Sequence, residues 1–301
     1  MKREIKILVG YDGSSYCNGA LDDLRRAGLP PRAKALVVSV GGAPTIAPLA
    51  SHYVIEKAVI GERVASIVDH ANRQAAEALK QASKLALNAG ERLKSYFPSW
   101  QVSSEVLAGT PAEELIAKAN QWKPDLLVVG SQGRSAIGRL ILGSVSLEVA
   151  RASRCSVRIG RRPDQETERG EPKILIGIDS PRGVELTLRK VMARTWPAET
   201  QLRIVAVAEG NSDPTMNMSS GAGNALTTNK MVELAVTNGL IVSARIMEGD
   251  LKDALLDEAR EWGADCIMVG SSGSQMKRGL FESSVSLGLA ADAECSVEIV
   301  R

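Results

Sequence analysis

The chain of 301 residues is predicted to be α/β: two tandem, doubly wound, mainly parallel five-stranded sheets with helices on both faces. Three observations predict this. The length is about twice that of an ordinary domain. Short apolar runs alternate with longer stretches of helical periodicity. The second half also repeats the first: DLLVVGSQGRSAIGRLILGSVSLEVARASRCSVRIGR, residues 125–161, aligns without a gap with DCIMVGSSGSQMKRGLFESSVSLGLAADAECSVEIVR, residues 265–301. VGS-x-G, SVSL and CSV-x-I stand in both, and KILVGYDGSS (residues 6–15) faces KILIGIDSPR (residues 173–182). A repeat this long denotes two globular copies rather than a solenoid. Domain 1 is expected over residues 1–161 and domain 2 over 173–301, joined by a charged, proline-bearing linker over 162–172.

Each element has a local reason. Residues 5–9 form an apolar run too short for a helix, which fits a strand buried on both faces. Ser14 or Ser15 can cap a helix running to about Ala27. Residues 35–40 are the second strand, followed by the loop GGAPTIAPLASHY. Ile67, Ala71, Ala75, Ala78, Ala82, Leu85, Ala89 and Leu93 recur at helical spacing and predict a long helix over 61–96. Residues 102–107 are the third strand, and Pro111 suits the first position of a helix to Gln121. Residues 126–129 are the fourth strand. A glycine-bearing segment, a helix to Ala152 and the strand CSVRI complete the copy. The second copy places strands near Ile174, Ile204, Ala244, Cys266 and Ser296, and is shortened around NSDPTMNMSSGAGN. Such alternation implies parallel strands joined by right-handed crossovers, with ligands beyond the carboxyl ends where the strand order reverses.

Composition narrows the function. The formal net charge is +2, from 37 basic and 35 acidic side chains, so nucleic acid and anionic membranes are not expected partners. No apolar run approaches the roughly 20 residues that span a bilayer. MKREIKILVGYDG has neither the apolar core nor the cleavage site of a secretion signal. Cys17, Cys155, Cys266 and Cys295 are scattered without a C-x-x-C pair, as expected for reduced thiols in a cytoplasmic protein. His52 and His70 have no ligand set around them, so no site with protein metal ligands alone is expected.

The stretch VGSQGRSAIGRLILGSVS, residues 129–146, carries the candidate chemistry. Gly130 and Gly133 follow a strand, where a missing Cβ permits positive φ and close approach of a ligand. Gly143, Ser144, Val145 and Ser146 open a helix, whose free N–H groups and positive dipole end attract phosphate. The Ser144 and Ser146 hydroxyls can add donors. Arg134 and Arg139 lie in the spacer and either pair with phosphate or stay solvated. The pattern is neither Walker A nor G-x-G-x-x-G. Asp12 has a plain reading as an Asp-Gly turn before a helix.

Taken together, the strand ending in Asp12, the Gly109-Thr110-Pro111 turn, Gly130-x-x-Gly133-x9-Gly143-Ser144 and the final CSVRI resemble the universal stress protein superfamily, twice over. The resemblance implies a Rossmann-like fold and ATP held across the carboxyl edge of the sheet. It would set Gly10, Tyr11 and Asp12 near ribose and phosphates, with Mg reaching Asp12 through the nucleotide. The backbone of Val40 would meet adenine, and Val129 and Gly130 would flank ribose and base. Gly133, Gly143, Ser144, Val145 and Ser146 would cradle phosphate, with Gln132 and Arg134 beside them. In the second copy Asp179, Gly270, Gly273, Ser284, Val285 and Ser286 match, but Ser283 replaces the third glycine and Glu282 precedes it. That site is expected to be degenerate. A stress-associated, nucleotide-binding regulator is thus expected, with a nucleotide-independent scaffold or a slow ATPase as alternatives.

The last strands, CSVRI and CSVEI, are exposed edges that invite pairing. An intramolecular pseudo-dimer through them is expected, and a homodimer is a further option. Arg158 and Glu298 hold equivalent positions there and are expected to be two solvated charges, with a pair across the axis as the alternative.

Overall fold

The computed structural model describes residues 4–41, 62–133, 142–161, 170–178, 181–208, 239–270 and 284–301. Strand β1 (Ile5–Gly10) alternates Ile7 and Val9 with Leu8, all buried, so both faces of the strand are covered. Ser14 caps α1 (Ser15–Asp23), its hydroxyl accepting from the Cys17 amide at 3.1 Å, and the helix tightens into a 3-10 turn at Leu24–Arg26. Strand β2 (Ala33–Gly41) follows. Helix α2 (Glu62–Tyr96) leads into β3 (Gln101–Ala108), then α3 (Pro111–Trp122) and β4 (Leu126–Gly130). Helix α4 (Ser144–Ala152) and β5 (Ser156–Gly160) close the first half.

The second half holds β6 (Lys173–Ile178), α5 (Pro181–Met192), β7 (Gln201–Ala208) and β8 (Ile241–Glu248). It continues through α6 (Leu251–Trp262), β9 (Cys266–Gly270), α7 (Ser284–Asp292) and β10 (Ser296–Val300). The loop and shortened helix expected after β7 lie outside the described residues.

The two five-stranded sheets are fused into one ten-stranded sheet of order β3-β2-β1-β4-β5-β10-β9-β6-β7-β8. Pairing is parallel within each half and antiparallel between β5 and β10, with Arg158 opposite Glu298. Strand order reverses between β1 and β4, which opens a crevice at their carboxyl ends.

The faces of the sheet differ. On one, a single apolar core runs through both halves, from Leu8 and Val38 through Val157 and Val297 to Leu175 and Leu255. On the other there are two cores, one around Ile7, Leu21 and Leu93, the other around Ile174, Val191 and Ile204. A buried charged cluster on this face belongs to the join. Arg158 donates to Glu298 at 3.0 Å and makes a two-pronged contact with Asp23 at 2.6 and 2.9 Å, while Arg194 donates to the other Glu298 oxygen. The side chains of Arg158 and Glu298 are 0% exposed, those of Asp23 and Arg194 6% and 5%. The expectation of solvated charges is therefore wrong. Pairing turns both strands from edges into central strands, and α1 and α5 cover that face. Burial works to raise the Glu298 carboxyl, but Arg194 and Arg158 outweigh it and hold it below the usual carboxylate range.

Candidate functional site

One cleft, of about 390 Å³, sits at the reversal of strand order in the first half. Gly10, Tyr11 and Asp12 enter it from the end of β1, and Val38 and Val40 from β2. Val129, Gly130, Gln132 and Gly133 come from β4 and the turn beyond it, and Gly143 to Ser146 from the start of α4. The cleft thus gathers every described residue of this half for which the sequence suggested contact with a nucleotide, and of the Gly109-Thr110-Pro111 turn it takes Pro111 alone. Arg134 and Arg139 lie outside the described residues.

The turn after β1 is tightly tied. Gly13 takes φ 82°, a conformation that favours glycine, and one Asp12 carboxylate oxygen accepts from the Ser14 amide at 2.9 Å. The other oxygen, Oδ2, lies 3.2 Å from where a Cβ on Gly133 would stand. Asp12 is therefore both a turn residue and a wall of the cleft. The Tyr11 hydroxyl donates to Asn18 at 2.8 Å, which orients the ring at the rim.

The glycines act differently from one another, and none of Gly130, Gly133 or Gly143 takes positive φ. A Cβ on Gly130 would lie 2.8 Å from the Cys17 nitrogen and the Tyr16 carbonyl carbon. What approaches Gly130 is thus the backbone of α1, not open space for a ligand. Gly143 is tied back to the turn after β4: its amide donates to the Ser131 carbonyl at 2.8 Å, and a Cβ there would lie 3.2 Å from the Gln132 Cα. As the cap of α4, Gly143 has no side chain to offer the first-turn amides, which stand at the cleft.

The serine hydroxyls divide as well. Ser146 donates its hydroxyl to the Gly130 carbonyl at 2.6 Å and is buried, so that donor is consumed by the fold. Ser144 is exposed at the mouth. Gln132 is 3% exposed, and its buried Oε1 has no hydrogen-bond partner. An acceptor desolvated without a donor costs about 1–3 kcal/mol.

Cys17, Leu115 and Leu142 also line the cleft and escaped sequence reasoning. Leu115 had one signal: it stands one helical turn after Pro111. Gly10 makes room for it, since a Cβ there would lie 2.8 Å from Leu115 Cδ1. Burial, with the Asp12 charge adding to it, pushes the Cys17 thiol up to about 11.

In the second half the packing repeats. A Cβ on Gly270 would lie 2.2 Å from the Gly183 carbonyl oxygen, and one on Gly177 would lie 2.5 Å from Leu255 Cδ1. Ser284, Val285 and Ser286 open α7, while Asp179, Gly273, Glu282 and Ser283 lie outside the described residues. Among the described residues no cluster of His, Cys, Asp and Glu forms a metal site, and no helix is long and apolar enough to cross a membrane.

The chain matches the universal stress protein family over residues 5–161 and 172–301. It is 25% identical over 310 aligned positions to a universal stress protein of Mycolicibacterium smegmatis, covering 99% of this chain and 97% of that protein. It is 33% identical over 92 residues to one of Methanocaldococcus jannaschii, a match that covers 30% of this chain and only 52% of the relative. A universal stress protein of Archaeoglobus fulgidus has the same fold, with a TM-score of 0.67 at 20% identity over 98% of both chains. With both halves matched and the fold shared end to end, the chain belongs to the universal stress protein family, as a tandem of two domains.

Proposed function

We propose that the cleft of the first half binds an adenine nucleotide, ATP, and that the protein is a nucleotide-responsive regulator rather than an enzyme. The observation that carries this reading is Gln132 Oε1, buried without a partner in the cleft that also holds the uncapped first turn of α4. Such a site asks for a ligand that brings a donor and an anion together, as a nucleotide does. Its volume of about 390 Å³ falls within the roughly 300–1,000 Å³ of small-molecule sites.

The roles follow from position. The amides of Ser144, Val145 and Ser146 hold phosphate, and Gly133 and Gly143 leave room for it. Val38, Leu115, Val129 and Leu142 supply apolar wall for the base, with the backbone of Val40 at its edge. Asp12 stands at the ribose and at Mg carried by the phosphates, and Gly10 and Tyr11 complete that end. Asp12 is the sole carboxylate among the described lining residues, and one of its oxygens is held by Ser14, which leaves little for activating water. Domain 2, over 173–301, serves mainly as a pseudo-dimer partner for domain 1, over 1–161, through the paired last strands, with 162–172 as the linker. A nucleotide-independent interaction protein is the second reading, favoured by the fold's own use of Gly130 and Ser146.

Calorimetry with ATP, ADP and AMP tests the proposal. Binding of one nucleotide per chain, lost in Gly143→Val and weakened in Gln132→Leu, is the expected result. No heat and no thermal shift with any of the three would overturn it in favour of the second reading.

A further inference from the structure

We propose that the surface joining the two halves is heterospecific: the first half is built to take the second half and to reject a copy of itself. Equivalent residues meet at this join, so the contacts of a like pair can be read directly. Some of them do not discriminate. The Arg161 amide donates to the Ser296 hydroxyl at 3.0 Å and the Arg301 amide to the Ser156 hydroxyl at 3.1 Å. These two contacts are the same pair of residue types, and two first halves or two second halves would keep them. The Arg26–Asp265 ion pair, at 2.8 Å, does not exclude two first halves either, because Asp125 occupies the equivalent place.

Three other contacts do discriminate. At the centre, Arg158 faces Glu298 in the β5–β10 register, both with no exposure. Two first halves would set arginine against arginine, each left with only its own half's Asp23, and two second halves glutamate against glutamate, each left with only its own half's Arg194. Like charges directly opposite on paired strands destabilise, and burial removes the water that would screen them.

The second contact is steric. The registers Lys6↔Lys34 and Lys173↔Gln201 leave no insertion between β1 and β2 or between β6 and β7, so Gly28 is equivalent to Thr195. The Trp196 ring fills the space over Gly28, where a Cβ would lie 2.4 Å from ring atoms, and Gly28 takes φ +61°. Two second halves would put a β-branched threonine where only glycine fits. Two first halves would have no tryptophan to fill the hollow. Third, the Arg194 guanidinium donates to the Ala27 carbonyl at 2.9 Å as well as to Glu298. Its equivalent in the first half is Ala27 itself, so only a second half supplies this arginine.

The chain therefore closes on itself through a charge pair, a ring in a hollow and an arginine that a like half lacks. The test starts from the full chain, with a protease site inserted between Arg161 and Gly170 and cut after purification. Cut protein and its isotopically labelled counterpart are unfolded together in urea, refolded by dilution and weighed by native mass spectrometry. The expected result is that every complex holds one first half and one second half, with labels scrambled. Like pairs in statistical proportion would overturn the proposal. In the uncut chain, Glu298→Arg is expected to split thermal unfolding into two transitions, since it sets two arginines face to face. A single transition at the wild-type temperature would equally sink it.

Discussion

Arg161 and Arg301 cap each other's domains. Arg161 follows β5, yet its guanidinium donates to the Ala290 carbonyl at 2.5 Å and to that of Cys295 at 3.4 Å, at the end of α7. Arg301 follows β10 and donates to the carbonyls of Ala150 and Cys155, at the end of α4. A cation at a helix C-terminus meets both the orphan carbonyls and the negative end of the dipole. Arg161→Ala and Arg301→Ala are each expected to cost about 2 kcal/mol, the range of hydrogen bonds to charged groups. Urea unfolding with an unchanged slope checks this, and a midpoint equal to wild type would refute it.

Gly130→Ala and Gly143→Val should separate folding from binding. A Cβ at Gly130 collides with the backbone of α1, so it is expected to destabilise by about 1–3 kcal/mol, as overpacking does. Gly270→Ala, facing a still closer backbone, is expected to cost more. Gly143→Val intrudes on the cleft beside Gln132 and is expected to lose nucleotide with a smaller change in melting temperature. Thermal melts in parallel with calorimetry rank the three.

Acid should act through Glu298. Its carboxyl is depressed in the folded protein against about 4.3 in an unfolded chain, so its stabilisation is full above that value and drains away as pH falls through the folded one. Glu298→Gln is expected to cost roughly 3 kcal/mol at pH 7, because two buried arginines lose their shared anion. Below about pH 4 its stability is expected to fall less steeply than that of wild type. Denaturant titrations between pH 3 and 7, on the order of one pH unit apart, measure both slopes.

The thiols should be slow to react. Burial raises Cys17 to about 11 and Cys295 to about 12, and raises Cys155 and Cys266 as well. The thiolate is the nucleophile, so little of it is present near pH 8. Alkylation of the native protein is expected to be far slower than in urea at all four positions. Fast native labelling of Cys17 would contradict the packing around α1.

Much of the cleft was legible in the sequence because its signals are local. Glycines after a strand, a serine cap and the spacing of the motif all act within one turn of chain, and Asp12, Gly133 and Gly143 do meet. Gly130 and Ser146 were legible as positions but not as functions. Whether a missing Cβ admits a ligand or a helix, and whether a hydroxyl is spent, depends on what stands opposite. Leu115 and Cys17 were hidden for the same reason: they reach the cleft from elements that the motif does not contain.

The sequence by itself determined two homologous α/β halves, the parallel order within each, and the rim where a ligand would sit, since periodicity and turn chemistry are short-range. Only the tertiary structure decided that Arg158 and Glu298 lie fully buried where β5 pairs with β10. In an alternating five-residue strand a charged residue reads as facing solvent. Pairing with a strand 140 residues away removes that solvent, and no local pattern records it.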